Sequence, residues 1–198
     1  MRRGARIRRR RLAKVAIGLL HFGMWALVWH STPSWAQTSS PREYEVKAAF
    51  LYNFAKFAEW PADALVPGQR LSLCVLGDNA VADALEQTIK GHTIENHELT
   101  VQVVNADGPI RSCHLLYVGG FDAKRATQLI EALKGAPVFT VSDGDKFAEL
   151  GGVAQLILEN DKMRFAINVA SAQRARLQLS SKLLSLAKIV KDEHYVQP

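Results

Sequence analysis

One serine and lysine in this chain have the spacing of a hydrolase motif. Ser185 and Lys188 match S-x-x-K, in which a lysine one helical turn away activates a serine for nucleophilic attack. No S-D-N or K-T-G sequence is present to complete such a site. Both residues also fall on the polar face of a predicted helix, so the pattern favours an ordinary helix surface over a catalytic pair.

Histidine and acidic residues gather in one predicted loop. His92 and His97 lie five residues apart, with Glu95 and Glu98 beside them. A metal site would need further ligands at compatible spacing, and neither H-E-x-x-H nor a Cys/His set occurs. We interpret these residues as a solvated loop and predict no metal and no cofactor. His114, beside a cysteine at the start of a strand, is typical of a packed histidine rather than a catalytic base.

Acidic residues also follow two of the predicted strands. Asp78 and Asn79 come directly after one strand, and Asp143 and Asp145 follow another in the segment "VSDGDKF". Open α/β sheets bind ligands at the carboxyl ends of their strands, so these four residues are the candidates for a ligand crevice. Turn and helix-capping roles would explain the same residues.

Motifs that would identify an enzyme are missing from the sequence. G-x-G-x-x-G, a P-loop and a G-x-S-x-G elbow are all absent. An acidic cluster with a lysine on the following strand, as in receiver-like phosphotransfer domains, has no clear equivalent either. We therefore predict that the protein is not an enzyme.

The first 36 residues have the layout of a secretory signal peptide. Residues 2–14 hold seven arginines and one lysine, and an apolar run follows them. Ser34 and Ala36 then stand at the −3 and −1 positions, which predicts cleavage after Ala36 and a periplasmic mature protein. An uncleaved membrane anchor is the alternative, and the arginines leave Sec and twin-arginine export both open.

Removing that segment changes the charge of the protein. The whole chain carries 25 basic and 19 acidic residues, and the signal peptide holds eight of the basic ones, so 17 remain against 19 acidic. The mature domain is therefore slightly acidic and has no basic footprint for nucleic acid.

Two cysteines remain in the mature chain, Cys74 and Cys113. In an oxidising compartment an even pair most often forms one structural disulfide. Two free buried thiols are the alternative. No C-x-x-C spacing indicates a redox-active pair.

The elements that position these residues follow an alternating pattern. A polar linker at 37–41 leads into a helix at 42–59, and the rest of the chain forms one predicted domain, 42–198. Predicted strands and helices then alternate: strands at 70–78, 98–106, 113–120 and 136–143, and helices at 79–90 and 122–135. Such alternation predicts an α/β fold with a mostly parallel sheet and helices on both faces.

The last third of the chain has a different pattern. Residues 153–170 predict an antiparallel hairpin that turns at Asn160-Asp161, with Leu156 opposite Phe165. A leucine-rich stripe then predicts one long final helix over 172–190.

The first helix is rich in aromatic residues. Its predicted apolar face consists of Val46, Phe50, Phe54 and Phe57. Tyr52, Lys56 and Glu59 fall opposite, and Pro61 forces Trp60 into an extended conformation that stops the helix. These four outer residues, Tyr52, Lys56, Glu59 and Trp60, are candidates for partner binding. A solvated helix face is the alternative for the first three, and a place at the edge of the core is the alternative for Trp60.

Four segments together resemble the YfiR-like family of periplasmic repressors. They are "EYEVKAAFLYNFAKFAEWP" (43–61), "LSLCVLGD" (71–78), "CHLLYV" (113–118) and "MRFAINVASAQRARLQLSSKLLSLAKIV" (163–190). The resemblance implies a disulfide between Cys74 and Cys113. Family members with four cysteines carry a second bridge at about 147–155, which this chain lacks.

The same resemblance implies a function. YfiR-like proteins bind the periplasmic sensory region of an inner-membrane diguanylate cyclase and keep cyclic di-GMP synthesis low. An outer-membrane lipoprotein with a peptidoglycan-binding domain can sequester the repressor, which is often a homodimer. The alternative function is a periplasmic small-ligand sensing module that uses the crevice near Asp78 and Asp143.

Overall fold

The structure is a computed structural model that describes residues 41–192. The predicted signal peptide and cleavage site, most of the linker and residues 193–198 lie outside the described residues. Pro41, assigned to the linker, is the first residue of a helix.

A mixed sheet of eight strands forms the centre of the described chain. The strands are β2 (Leu71–Leu76), β3 (Thr93–Ile94), β4 (His97–Val103), β5 (Leu115–Val118), β6 (Phe139–Ser142), β7 (Ala154–Glu159), β8 (Lys162–Asn168) and β10 (Lys188–Val190). Their order is β10-β8-β7-β6-β5-β2-β4-β3. The neighbours from β7 to β4 pair in parallel, while β8 is antiparallel to β7 and β3 to β4. The predicted α/β class with a mostly parallel sheet is confirmed.

Five α-helices, a short 3-10 helix (Ile110–Ser112) and a second, two-stranded sheet complete the described fold. The helices are α1 (Pro41–Lys56), α2 (Asn79–Ile89), α3 (Ala123–Ala132), α4 (Val169–Arg174) and α5 (Ser181–Leu186). Strands β1 (Ala58–Glu59) and β9 (Gln178–Leu179) pair in antiparallel fashion.

Both faces of the sheet are buried. The larger core cluster joins the odd residues of β2 to α1 and α2, with Leu73, Leu51 and Leu85 fully buried. The smaller cluster joins the even residues of the same strand to α3, through Cys74 and Leu129. Successive strand residues point to opposite faces, so a strand covered on both sides must be apolar throughout, as "LSLCVL" nearly is.

Local sequence signals set several element boundaries. The Asp78 carboxylate accepts a hydrogen bond from the Val81 amide at the start of α2, and Asp122 does the same for Arg125 at the start of α3. The β7–β8 hairpin turns at Asn160 and Asp161, which have φ values of 50° and 59°. Leu156 pairs with Phe165 as predicted.

The buried face of α1 is rotated from the predicted one. Ala48, Leu51, Phe54 and Ala55 are fully buried, whereas Val46, Phe50 and Phe57 are half-buried. The helix packs against the sheet on one side and against α2 on another, so two surfaces share its apolar residues. The prediction of one apolar stripe assumes that the helix packs against one surface, so it places the centre of the buried face on the wrong residues.

The predicted long final helix is wrong. The segment divides into α4, β9, α5 and β10. Arg176 takes a positive φ of 58° after α4, and its guanidinium binds the Asp63 carboxylate at 2.9 Å. Ser180 caps the new helix α5 by accepting from the Leu183 amide. Pairing of β9 with β1 and of β10 with the edge of β8 satisfies the backbone groups that a continuous helix would have bonded internally.

Candidate functional site

The outer surface of α1 and β1 carries the residues predicted for partner binding. Lys56 and Glu59 are exposed, and Glu59 pairs through its backbone with Gln178 of β9. Tyr52 is half-buried, with its ring 5.4 Å from the ring of His92. Lys56 and Glu59 therefore face solvent with no charged partner within residues 41–192, while Tyr52 is partly engaged within the fold.

Trp60 is held by its own chain. Its indole N–H donates to the backbone carbonyl of His114 at 3.0 Å, and the two rings meet edge to face at 6.0 Å. The residue is half-buried and packs against the larger core cluster. This arrangement matches the alternative that placed Trp60 at the edge of the core.

His114 joins three parts of the chain. Its Nδ1 accepts from the Ser72 amide at 3.0 Å, so the proton is on Nε2, which donates to the carbonyl of Ala64 at 3.1 Å. Burial lowers the pKa of the ring, and the nearby His97 adds to this effect. His114 is thus a neutral structural residue beside Trp60.

The four candidate residues for a ligand crevice, Asp78, Asn79, Asp143 and Asp145, follow strand ends at one edge of the sheet, the edge that the sequence predicts for them. Asp78 follows β2 and Asp143 follows β6, and these parallel strands lie on either side of β5. The chain passes from β2 to β4 on one side and then to β5 on the other, so strand order reverses at the carboxyl end of β2. Ligands of open α/β sheets bind at such a point.

Each of the four has a different environment at this edge. Asp78 caps α2, and Asn79 is the exposed first residue of that helix. Asp143 is half-buried and paired with a lysine. Asp145 is exposed and lines a cavity of about 250 Å³ together with Phe121 and Phe147.

Lys47 is the partner of Asp143, and the sequence reasoning missed it. Its ammonium lies 2.6 Å from the Asp143 carboxylate and 2.8 Å from that of Glu43, one turn earlier in α1. Its side chain is only 4% exposed. Burial by itself would lower the pKa of Lys47, but the two hydrogen-bonded carboxylates outweigh it and raise the pKa. The i, i+4 spacing of Glu43 and Lys47 was the available signal.

Tyr117 of β5 brings a second polar group to this edge. The residue is fully buried, and its hydroxyl has no hydrogen-bond partner among the described residues. Burial raises the pKa of the phenol, and the carboxylates of Asp143 and Asp78 raise it further. The phenol is therefore protonated at any physiological pH.

Two glycines let the loops at this edge pack closely. Gly77 has a φ of 86°, and a Cβ there would lie 2.4 Å from the carbonyl oxygen of Gly119. A Cβ on Gly119 would lie 3.0 Å from the Cβ of Asp78. These positions hold the ends of β2 and β5 against each other.

Cys74 and Cys113 are joined by a disulfide bond, the pairing that the sequence predicts. Their Cα atoms are 5.9 Å apart and the residues are 39 positions apart in the chain. Both are buried in the smaller core cluster, so the bond ties the middle of β2 to the segment before β5.

The remaining sequence motifs are not brought together. Ser185 lies in α5 and Lys188 begins β10, so the S-x-x-K residues do not share a helix, and the Ser185 hydroxyl donates to the Lys182 carbonyl. His92 precedes β3 and His97 begins β4, where its Nδ1 lies 2.7 Å from the Gln69 carbonyl oxygen. Within residues 41–192, no group of three His, Cys, Asp or Glu residues is placed to hold a metal ion.

A family model described as YfiR/HmsC-like matches residues 44–188. The chain belongs to the YfiR/HmsC-like family. The match runs from Tyr44, the fourth residue of α1, to the first residue of β10, and so includes both the outer surface of α1 and the carboxyl edge of the sheet. Proteins of this family are periplasmic regulators of diguanylate cyclase signalling, and the family is a regulatory rather than a catalytic one.

A solved structure resembles this YfiR/HmsC-like chain. It is described as a conserved domain protein from Vibrio cholerae O1 biovar El Tor str. N16961, and it aligns with 13% identity and a TM-score of 0.51. The alignment covers 75% of this chain and 60% of that one, so the likeness supports the fold alone.

None of the helices in the described part of this YfiR/HmsC-like chain is both long enough and apolar enough to cross a membrane.

Proposed function

We propose that this protein represses a membrane-bound diguanylate cyclase by binding the cyclase's periplasmic sensory region. The observation that carries the proposal is the family match over residues 44–188. In this proposal the signal peptide is cleaved after Ala36, and the mature protein acts in the periplasm. An outer-membrane peptidoglycan-binding lipoprotein relieves the repression by sequestering it.

We place the cyclase contact on the outer surface of α1 and β1. Lys56 and Glu59 are exposed there, and neither side chain has an ion-pair or hydrogen-bond partner among the described residues. Tyr52 and Trp60 border the same surface and supply aromatic area of the kind found at binding hot spots. Because Trp60 also packs within the fold, Lys56 and Glu59 are the cleaner residues to test.

The first experiment measures cellular cyclic di-GMP in strains with and without this gene, with a pull-down from the membrane fraction. Deletion should raise cyclic di-GMP, and the mature protein should recover a cyclase. As a control, a version that lacks residues 1–36 and stays in the cytoplasm should not restore repression. Unchanged cyclic di-GMP together with no recovered cyclase would contradict the proposal.

Charge reversal tests the proposed contact surface. The double variant Lys56→Glu/Glu59→Lys should lose cyclase binding while its unfolding curve is unchanged. Lys124→Glu, an exposed lysine on α3 across the sheet, is the matched control and should bind normally. If both variants bind the cyclase equally well, the contact does not lie on the outer surface of α1 and β1.

We further propose that the protein is a homodimer that uses its β10 edge. Among the described residues this strand lies at one end of the sheet; Ile189 within it is 51% exposed and Leu186, at the end of α5, is 70% exposed. Unpaired strand edges with apolar side chains favour pairing with another chain. Ile189→Lys should shift the mature protein to a monomer in light-scattering measurements, and a monomeric wild type would refute this assignment.

Binding of a small ligand at the carboxyl edge of the sheet is the second candidate function. The cavity of about 250 Å³ beside Asp145 favours it. A thermal-shift panel of metabolites tests it, and a hit that Asp145→Asn leaves unchanged would argue against this location.

A further inference from the structure

A second, larger cleft lies away from the carboxyl edge and from the proposed cyclase surface. It is bounded by the end of α3 and its following turn, by residues 149–153, and by the end of α4. Its volume is about 510 Å³. Pockets for small organic molecules usually measure about 300–1,000 Å³.

The floor of the cleft is apolar and already packed. Leu133, Ala136 and Val138 come from the smaller core cluster, and Val153 and Ala175 come from the larger one. All five residues are buried. Such a surface needs little ordering when a ligand binds, which lowers the free-energy cost of association.

Both cations on the rim of the cleft already have partners. The Arg174 guanidinium contacts the Asp192 carboxylate at 2.7 Å and donates to the Ser171 hydroxyl at 2.7 Å. The Lys134 ammonium lies 3.0 Å from the carboxylate of Glu131. These contacts satisfy the two positive charges and two of the three negative ones.

Glu149 is the third carboxylate of the cleft, and neither Arg174 nor Lys134 pairs with it. It is half-buried on the cleft wall, and it has no ion pair or hydrogen bond with another described residue. A carboxylate without a cation beside it can accept charge-assisted hydrogen bonds from a cationic ligand that carries N–H donors. We propose that this cleft binds a small molecule with an apolar body and a protonated amine, which donates to Glu149.

Three probes of similar size separate charge from shape. Phenethylamine is cationic at pH 7, phenethyl alcohol is neutral, and 3-phenylpropionate is anionic. Titration calorimetry on the mature protein, residues 37–198, should give the amine roughly tenfold higher affinity than the alcohol, because its hydrogen bond to the carboxylate is charge-assisted. The anion should bind most weakly.

Substitutions assign the effect to the cleft. Glu149→Gln should weaken amine binding about tenfold and leave alcohol binding unchanged. Glu86 is an exposed residue on α2 outside the cleft, so Glu86→Gln should change neither the amine affinity nor the alcohol affinity. Ile130→Trp on the rim should block both probes. Because Ile130 is half-buried, thermal unfolding must show that this variant folds, and Glu149→Gln provides the test if it does not.

Several results would overturn the proposal. If none of the three probes binds, the cleft is not a binding site for molecules of this kind. Equal affinity for the amine and the alcohol, or an amine affinity that Glu149→Gln does not change, would remove the role of the carboxylate. If the anion binds most tightly, the Arg174 guanidinium and not the Glu149 carboxylate recognises the charge of the ligand.

Discussion

Replacing Lys47 by methionine should destabilise the folded protein strongly. Methionine keeps the length and most of the volume of the side chain but removes the charge that two carboxylates share at 2.6 and 2.8 Å. Breaking a fully buried pair by removing one partner costs roughly 3–5 kcal/mol, because the other charge is left uncompensated. Here the Glu43 and Asp143 side chains are 24% and 30% exposed, so water can hydrate them in part.

We therefore expect the free energy of unfolding to fall by about 2–3 kcal/mol, below the fully buried range. For a domain of this size that corresponds to a fall of about 5–10 °C in Tm. The assay is urea unfolding of residues 37–198 at pH 7, followed by tryptophan fluorescence. Trp60 is the one tryptophan of that segment, and its contact with His114 makes its emission a reporter of the native fold.

A second substitution tests the cause of the loss. Asp143→Asn in the Lys47→Met background removes one uncompensated carboxylate, so the double variant should be more stable than Lys47→Met alone by about 1 kcal/mol or more. Lys56→Met is the matched control, since this exposed lysine lies on the same helix, and its effect should stay within about 0.5 kcal/mol. A loss below about 1 kcal/mol for Lys47→Met, or no gain from Asp143→Asn, would refute the reasoning.

Three further predictions concern other parts of the fold. Cys74→Ser/Cys113→Ser should lower the free energy of unfolding by about 4 kcal/mol, because the bond closes a loop between residues 39 positions apart. Reduction of the wild type should give the same loss in the urea assay. The pKa of His114 is lowered in the folded state, so its contribution to stability is complete above the unfolded value near 6.5 and is lost as the pH falls below it. The urea midpoint should therefore drop between pH 7.5 and 5.5, and this drop should shrink in His114→Gln; an equal drop in both would show that other groups are responsible. Gly77→Ala should cost more than Gly91→Ala, since both have positive φ but only the first Cβ would meet a backbone oxygen, and equal thermal shifts would contradict the packing argument.

Elements whose signals are local could be predicted well from the sequence. Asp78 and Asp122 mark helix starts because a carboxylate there bonds an amide that has no partner within the helix. Asn160 and Asp161 mark the hairpin turn because both tolerate positive φ, and that turn fixes the pairing of the two strands. These features depend on residues within a few positions of one another.

The candidate site was predictable only in part. The placement of Asp78 and Asp143 at one sheet edge follows from parallel strands, which bring their carboxyl ends together. The role of Lys47 could not be predicted in this way. Its partner Asp143 is 96 residues away, and a lysine on an amphipathic helix usually faces solvent. The apolar pattern of α1 also gives no sign that its burial is shared between the sheet and α2.

The sequence by itself determined the α/β class, the parallel core strands, the capped helices and the family. It determined them because hydrophobic period, caps and turn residues act over short distances and agree with one another. Only the tertiary structure determines the conformation of residues 172–190. Their apolar pattern is compatible with one helix, but the segment forms several short elements. Arg176 reaches Asp63 across 113 positions, and two distant strands take up the backbone hydrogen bonds. Contacts between residues so far apart in the chain form only once the rest of the domain is in place, so no local pattern can encode them.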